Sequence, residues 1–171
     1  MNTVIYFIED QEALTSYILL ARDEDIFPGC KILAADSIDN AIEWCGKSDG
    51  DVLFVVDSRM SSELLPQYLE KALENSEIKI QDLSDLIADE VLTGTLGTVV
   101  LRYLKPDCRT ILLTAFSKTI SQIRQSHPVL DSMLTKSIDF TLSKTSPEAL
   151  TEAIMTQLMV LSRVRRQRQS E

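Results

Sequence analysis

The sequence has little of what stapled, metal-bound or membrane-embedded proteins need. Its three cysteines, Cys30, Cys45 and Cys108, are odd in number and far apart, and no Cys-x-x-Cys pair occurs. The single histidine, His127, has no cysteine near it, which argues against a zinc site. Scattered cysteines of this kind suit a reducing compartment and read as packed thiols. No apolar run approaches the roughly 20 residues that cross a bilayer. No basic, apolar leader precedes the first strand, so a soluble, cytoplasmic protein without a membrane partner is expected. Glycine-rich phosphate loops of the Walker or Rossmann type are missing, as are repeats and low-complexity segments.

What is present is ordinary globular material. The 171 residues, 44% apolar and 25% charged, fit one domain with some excess and can bury a core unaided. Charge is uneven: the chain carries −9, residues 163–171 carry +3 through Arg163, Arg165, Arg166 and Arg168 against Glu171, and the body therefore carries −12. An acidic body argues against direct nucleic-acid binding. The arginines read as a solvated helix end, where cations complement the helix dipole.

The stretch Val52-Leu53-Phe54-Val55-Val56 predicts a short strand buried on both faces, with Asp57 at its C-terminal edge. Three more apolar runs also end in chemically useful residues. Val4 to Ile8 ends in Glu9-Asp10, Thr110 to Leu113 in Thr114-Ala115, and Phe140 to Ser143 in Lys144. Lys31 to Ala35 is a further strand. Helical spacing links Leu14, Ile18 and Ala21, then Ala41, Ile42, Trp44 and Cys45 after Ser37, then Ile120 and Ile123. His127-Pro128 should stop the helix before it, and Val129 to Ile138 has room for another short turn. Ser146-Pro147 opens a last helix through Leu150, Ile154, Leu158 and Leu161. Five βα units in succession predict an α/β fold, a doubly wound five-stranded parallel sheet of the flavodoxin-like kind.

One region exceeds that plan. From Ser61 to Asp107 the fold needs a single helix, yet 47 residues lie there. Leu64, Leu65, Tyr68, Leu69 and Leu73 predict one amphipathic helix, with Ser62 as cap and Pro66 in its first turn. Leu83, Leu86, Ile87 and Val91 predict a second, short one. Gly94 and Gly97 read as an interruption before a crossover helix built on Val99, Val100, Tyr103 and Leu104. Residues 62–93 are accordingly expected to be an insertion in a domain of residues 1–162, with 163–171 a basic tail. Its leucines are expected to pack on the domain, an interaction helix being the alternative.

In open parallel sheets, ligands bind outside the carboxyl ends of the strands. Two acids, a central aspartate, a hydroxyl and a lysine at those ends suit phosphoryl transfer, which is mainly positioning plus positive charge. Glu9, Asp10 and Asp57 make an acidic cradle of the oxygen donors that magnesium prefers. Lys144 supplies a compact cation and Thr114 a hydroxyl donor. Singly, Asp10 and Asp57 read as caps, Lys144 as a surface lysine and Thr114 as a loop residue.

Together, Glu9-Asp10, Asp57, Thr114-Ala115 and Lys144 resemble the receiver domain of two-component response regulators over residues 1 to about 60 and 94 to about 162. The resemblance implies Asp57 as phosphoacceptor, with Thr114 and Lys144 assisting. It implies Mg2+ held by Glu9, Asp10, Asp57 and the backbone carbonyl of Arg59. It implies a histidine kinase or histidine phosphotransfer protein as donor, a downstream protein as target, and possible dimerisation. The chain is expected to be a phosphoacceptor and not an enzyme, as a stand-alone receiver or part of a longer protein. Three departures stand out. Thr141 occupies the place of an aromatic switch residue, Thr145 and not proline follows the lysine, and the insertion has no counterpart. The first favours the alternative, a receiver-like interaction module not regulated by phosphorylation, while the intact acids, threonine and lysine oppose it. A haloacid-dehalogenase type phosphatase needs an acid two residues after its nucleophile, and Arg59 stands there.

Overall fold

The computed structural model describes residues 3–9, 12–143 and 146–168. Five parallel strands form one sheet in the order β2-β1-β3-β4-β5, with β1 Thr3–Ile8, β2 Cys30–Ala35, β3 Val52–Asp57, β4 Arg109–Thr114 and β5 Phe140–Ser143. The order reverses between β1 and β3, so the crevice of a doubly wound sheet opens between their carboxyl ends. Ile8 pairs with Val56 and Asp57 with Leu113, which places Glu9, Asp57 and Thr114 at one edge. The sheet is the α/β architecture expected from the apolar runs.

Two cores follow from the alternation of side chains along the strands. Ile5, Phe7, Leu53, Val55, Ile111 and Leu113 face α1 Glu12–Asp23 and α8 Pro147–Arg168. Tyr17 and Thr151 share a 2.8 Å hydrogen bond that ties those two helices together. Val4, Tyr6, Ile8, Val52, Phe54 and Val56 face the other layer. That layer holds α2 Ile38–Cys45, α3 Leu65–Leu73, a 3-10 turn Ile80–Leu83, α4 Ser84–Ile87, α5 Glu90–Leu104, α6 Ser117–Ser126 and α7 Pro128–Ser137. Ser37 caps α2 by accepting from the Asn40 amide at 3.3 Å, and Ser146 caps α8 by accepting from the Ala149 amide at 3.1 Å.

The excess chain departs from expectation at its C-terminal boundary. Gly94 and Gly97 do not interrupt a helix; α5 runs through both, and Val91 lies in its first turn. A side chain at Gly94 would meet the backbone of Asp57 and Ser58, with carbon contacts of 2.8 and 3.0 Å, and one at Gly97 would meet Ile38 Cδ1 at 2.8 Å. The glycines are there for close approach and lie three residues apart on one face of the helix. The added segment is thus α3, the 3-10 turn and α4, ending at the α5 cap Asp89, whose carboxylate accepts from the Val91 amide at 3.0 Å.

Its start is fastened to α2. Asp39 accepts from Ser62 Oγ, from the Glu63 amide at 2.9 Å and from the Leu64 amide at 3.2 Å. Ser62 Oγ in turn accepts from the Leu65 amide at 2.9 Å, the cap expected for α3. Leu65, Leu69 and Leu73 bury the inner face of α3 in the same core as Leu96, Val99 and Val100 of α5. Every residue from Leu92 to Leu101 is buried, so α5 is covered on all sides.

One other segment is more helical than expected. Val129 to Ile138 holds a ten-residue helix and not a short turn, because Pro128 fits its first position and Leu130 and Leu134 bury one face. The arginines after Leu161 form the last turns of α8, the helix end expected of them, so the basic stretch from residue 163 continues the domain's last helix as far as Arg168, with Arg165 reaching Asp51 at 3.5 Å.

Candidate functional site

Strand β3 is buried from end to end, and Asp57 is only 1% exposed. A buried carboxylate requires partners, and Asp57 Oδ1 accepts the Arg59 amide at 3.0 Å, which turns the chain sharply after the strand. The next residue locks that turn to β4. The Ser58 amide donates to the Leu113 carbonyl at 2.8 Å, and Ser58 Oγ donates to Thr114 Oγ1 at 3.1 Å.

Thr114, fully buried at the end of β4, also accepts the Phe116 amide at 2.8 Å. Both bonds use its lone pairs, so the hydroxyl hydrogen is left to point elsewhere. On the other side of Asp57, Glu9 follows β1 and its amide donates to the Ala35 carbonyl at 2.9 Å, which leaves it half-buried beside the crevice. The side chain of Arg59 turns outward and lies 3.9 Å from Glu90 at the start of α5, both largely exposed.

The edge of the sheet thus brings together Glu9, Asp57, Arg59 and Thr114. Asp10 and Lys144, expected to complete the set, lie outside the described residues. Among the described residues no three His, Cys, Asp or Glu side chains gather in a cation-binding cluster. The donors that are described, two carboxylates on adjacent strand ends and a main-chain carbonyl nearby, are all oxygen. That chemistry fits magnesium, which needs only one or two carboxylates beside water and substrate oxygens.

Reasoning from the sequence missed three residues that shape the site. Ser58 links Asp57 to Thr114, and Asp39 holds the chain where it leaves the site. Gly94 presses α5 onto the Asp57–Ser58 peptide, its amide donating to the Ser58 carbonyl at 2.8 Å. The glycine pair three residues apart inside an apolar stretch was the available signal for the last of these.

The remaining singled-out residues stand apart from this edge. Thr141 and Phe140 are exposed on the edge strand β5, and His127 is exposed between α6 and α7. Cys45 and Cys108 are buried free thiols and Cys30 is half-buried. No helix among the described residues is long and apolar enough to cross a membrane.

No protein-family model matches the chain. Among curated proteins, the tRNA N6-adenosine threonylcarbamoyltransferase of Prochlorococcus marinus is 32% identical over 120 residues, covering 70% of this chain and 31% of that protein. The chain therefore spans less than a third of that relative's length. Solved structures agree over nearly the whole chain. A CheY-like response regulator receiver domain protein from Methanospirillum hungatei superposes with a TM-score of 0.61 at 14% identity, covering 95% of this chain and 98% of that one. The signal receiver domain of an HD domain-containing protein from Pseudomonas fluorescens gives 0.56 at 14% identity, with the same coverage. An adenylate cyclase structure from Rhodopirellula baltica gives 0.62 at 15% identity, covering 99% and 96%. With its strand order, its helices on two faces and these superpositions, the chain has the fold of response regulator receiver domains.

Proposed function

We propose that this chain is a phosphoacceptor receiver, taking a phosphoryl group on Asp57 from a phosphohistidine donor and signalling through changed protein contacts. The observation that carries the reading is the position of Asp57. It ends the central strand inside the crevice where the strand order reverses, with Glu9 on one side and the Ser58–Thr114 pair on the other. In the transfer, an Asp57 carboxylate oxygen forms the new bond to phosphorus as the bond to the donor imidazole nitrogen breaks, and the imidazole leaves with the electron pair. The Arg59 amide, bonded to Oδ1, fixes the carboxylate's orientation. Thr114 has its hydroxyl hydrogen available for a phosphoryl oxygen. Lys144, brought in by the resemblance, would neutralise another. Bound by Glu9, Asp10, Asp57 and the Arg59 carbonyl, Mg2+ would offset the repulsion between the carboxylate and the incoming group.

In this reading the chain is a signalling protein of the cytoplasm and not an enzyme with a small substrate. The position two residues after Asp57 offers a cation, Arg59, where a dehalogenase-type phosphatase needs an acid. Threonylcarbamoyl transfer is the chemistry named for the curated relative, of which this chain covers 31%. A second reading, an interaction module without regulated phosphorylation, draws on exposed Thr141 in place of the switch aromatic and on the added helices packed over α5.

Incubation with acetyl phosphate and magnesium, followed by intact mass, separates the two. One phosphoryl adduct that requires magnesium and vanishes in Asp57→Asn supports the receiver. A folded protein that gives no adduct and binds no beryllofluoride refutes it and leaves the interaction module.

A further inference from the structure

We infer that Gly94 is a positioning residue for Asp57, and that α5 carries the loading of Asp57 directly to the added segment 61–89. This rests on Asp57 being the phosphoacceptor. Three independent contacts support it.

The first is the seat of α5 on the site. The helix lies so close to the Asp57–Ser58 peptide that a methyl group at Gly94 would collide with the Asp57 carbonyl. The Gly94 amide donates outward, to the Ser58 carbonyl at 2.8 Å. Ser58 is also the residue bonded to Thr114. Any adjustment of the Asp57–Ser58 peptide that accompanies a new phosphoryl group therefore pushes or pulls on α5. A backbone-to-backbone seat with no side chain between leaves nothing soft to absorb the movement.

The second contact is on the far side of the same helix. Leu65, Leu69 and Leu73 of α3 and Leu83 of the 3-10 turn share one core with Leu96, Val99 and Val100 of α5. Close-packed cores transmit displacement between discrete packings and do not yield gradually. The third is the anchor at the other end of the segment. Ser61 accepts the Ile38 amide at 3.2 Å, and Asp39 holds Ser62, Glu63 and Leu64. Ile38 itself packs against Gly97. The segment is thus fixed to α2 at its start and continuous with α5 at its end, so a shift of α5 against α2 changes its packing. The outer route along β5 is less suited to this role, because Thr141 there is small and exposed.

Hydrogen exchange on the full-length protein, with and without beryllofluoride and magnesium, tests the inference. Acetyl phosphate and intact mass run in parallel to report adduct formation. Coupling of ordinary strength predicts a change of roughly tenfold in amide exchange over 61–89 and the first turns of α5. In Gly94→Ala the adduct should form more slowly, and exchange in 61–89 should no longer respond to it. A merely structural defect would raise exchange equally in the loaded and unloaded states. An adduct with exchange changes confined to 116–143 overturns the inference and leaves the receiver reading intact. Absence of any adduct on wild-type protein overturns both. The wild-type comparison needs no variant, so it decides the coupling through α5 even where Gly94→Ala fails to fold.

Discussion

Thr95 sits buried in α5 with no hydrogen-bond partner for its hydroxyl among the described residues, whereas Thr98 nearby donates to the Thr95 carbonyl at 2.7 Å. An unsatisfied buried hydroxyl costs about 1–3 kcal/mol, and an apolar group of the same shape removes that cost. Thr95→Val is therefore expected to stabilise the protein by about 1 kcal/mol, read as a higher urea midpoint at unchanged slope. Thr98→Val should do the opposite, because it breaks a made bond. At this scale the sequence was informative where a residue ends an apolar run. Asp57 and Thr114 were legible because nothing but a strand end places a polar residue after such a run. Gly94 was not, because glycine weakens helices in general and only the approach of another backbone shows why this one is tolerated.

Among the elements, α5, β4, α7 and α8 are tied at the amino-terminal edge of the sheet by one carboxylate. Asp139 accepts from Arg102 at 2.6 Å, from Arg109 at 2.8 Å and from the Thr110 amide at 2.8 Å. Arg102 also reaches the Ser137 carbonyl at 3.5 Å, and Arg109 the buried Gln157 at 2.7 Å. Removing one partner from a mostly buried charge cluster leaves the others uncompensated. Asp139→Ala is expected to cost about 3–5 kcal/mol, measured as a fall in urea midpoint. Asp57 lies at the opposite edge, so under the proposed receiver function beryllofluoride binding at low temperature should survive in that variant. The strands were the most legible elements, since runs such as Val52–Val56 leave little alternative. α5 was obscured by its threonines and glycines, poor helix formers that only tertiary burial sustains. α7 was obscured by a proline that starts a helix as readily as it stops one.

At the scale of the whole molecule, burial raises the proton affinity of five groups among the described residues. Burial pushes the Cys45 thiol from 9.0 up to about 12. Burial also raises Cys108, Cys30, Tyr6 and Tyr17. These groups are neutral when protonated, so the folded state keeps protons that the unfolded chain releases in alkali. Their contribution is whole below the unfolded cysteine value of 9.0 and is lost as pH climbs toward about 12. Melting temperature should thus be flat through neutrality on their account and fall above pH 9.0, with Cys45→Ala making that fall shallower while Cys30 and Cys108 keep its onset in place. Alkylation of the native protein should mark Cys30 and spare Cys45 and Cys108, which react only on unfolding. The coverage of α5 on all sides, finally, bears on which changes of chain length the fold tolerates. Without residues 61–89 that helix would turn bare leucine and valine toward water. Loops within the added segment can therefore be remodelled, but deleting it whole would leave the remaining six helices with an apolar face of α5 open to solvent.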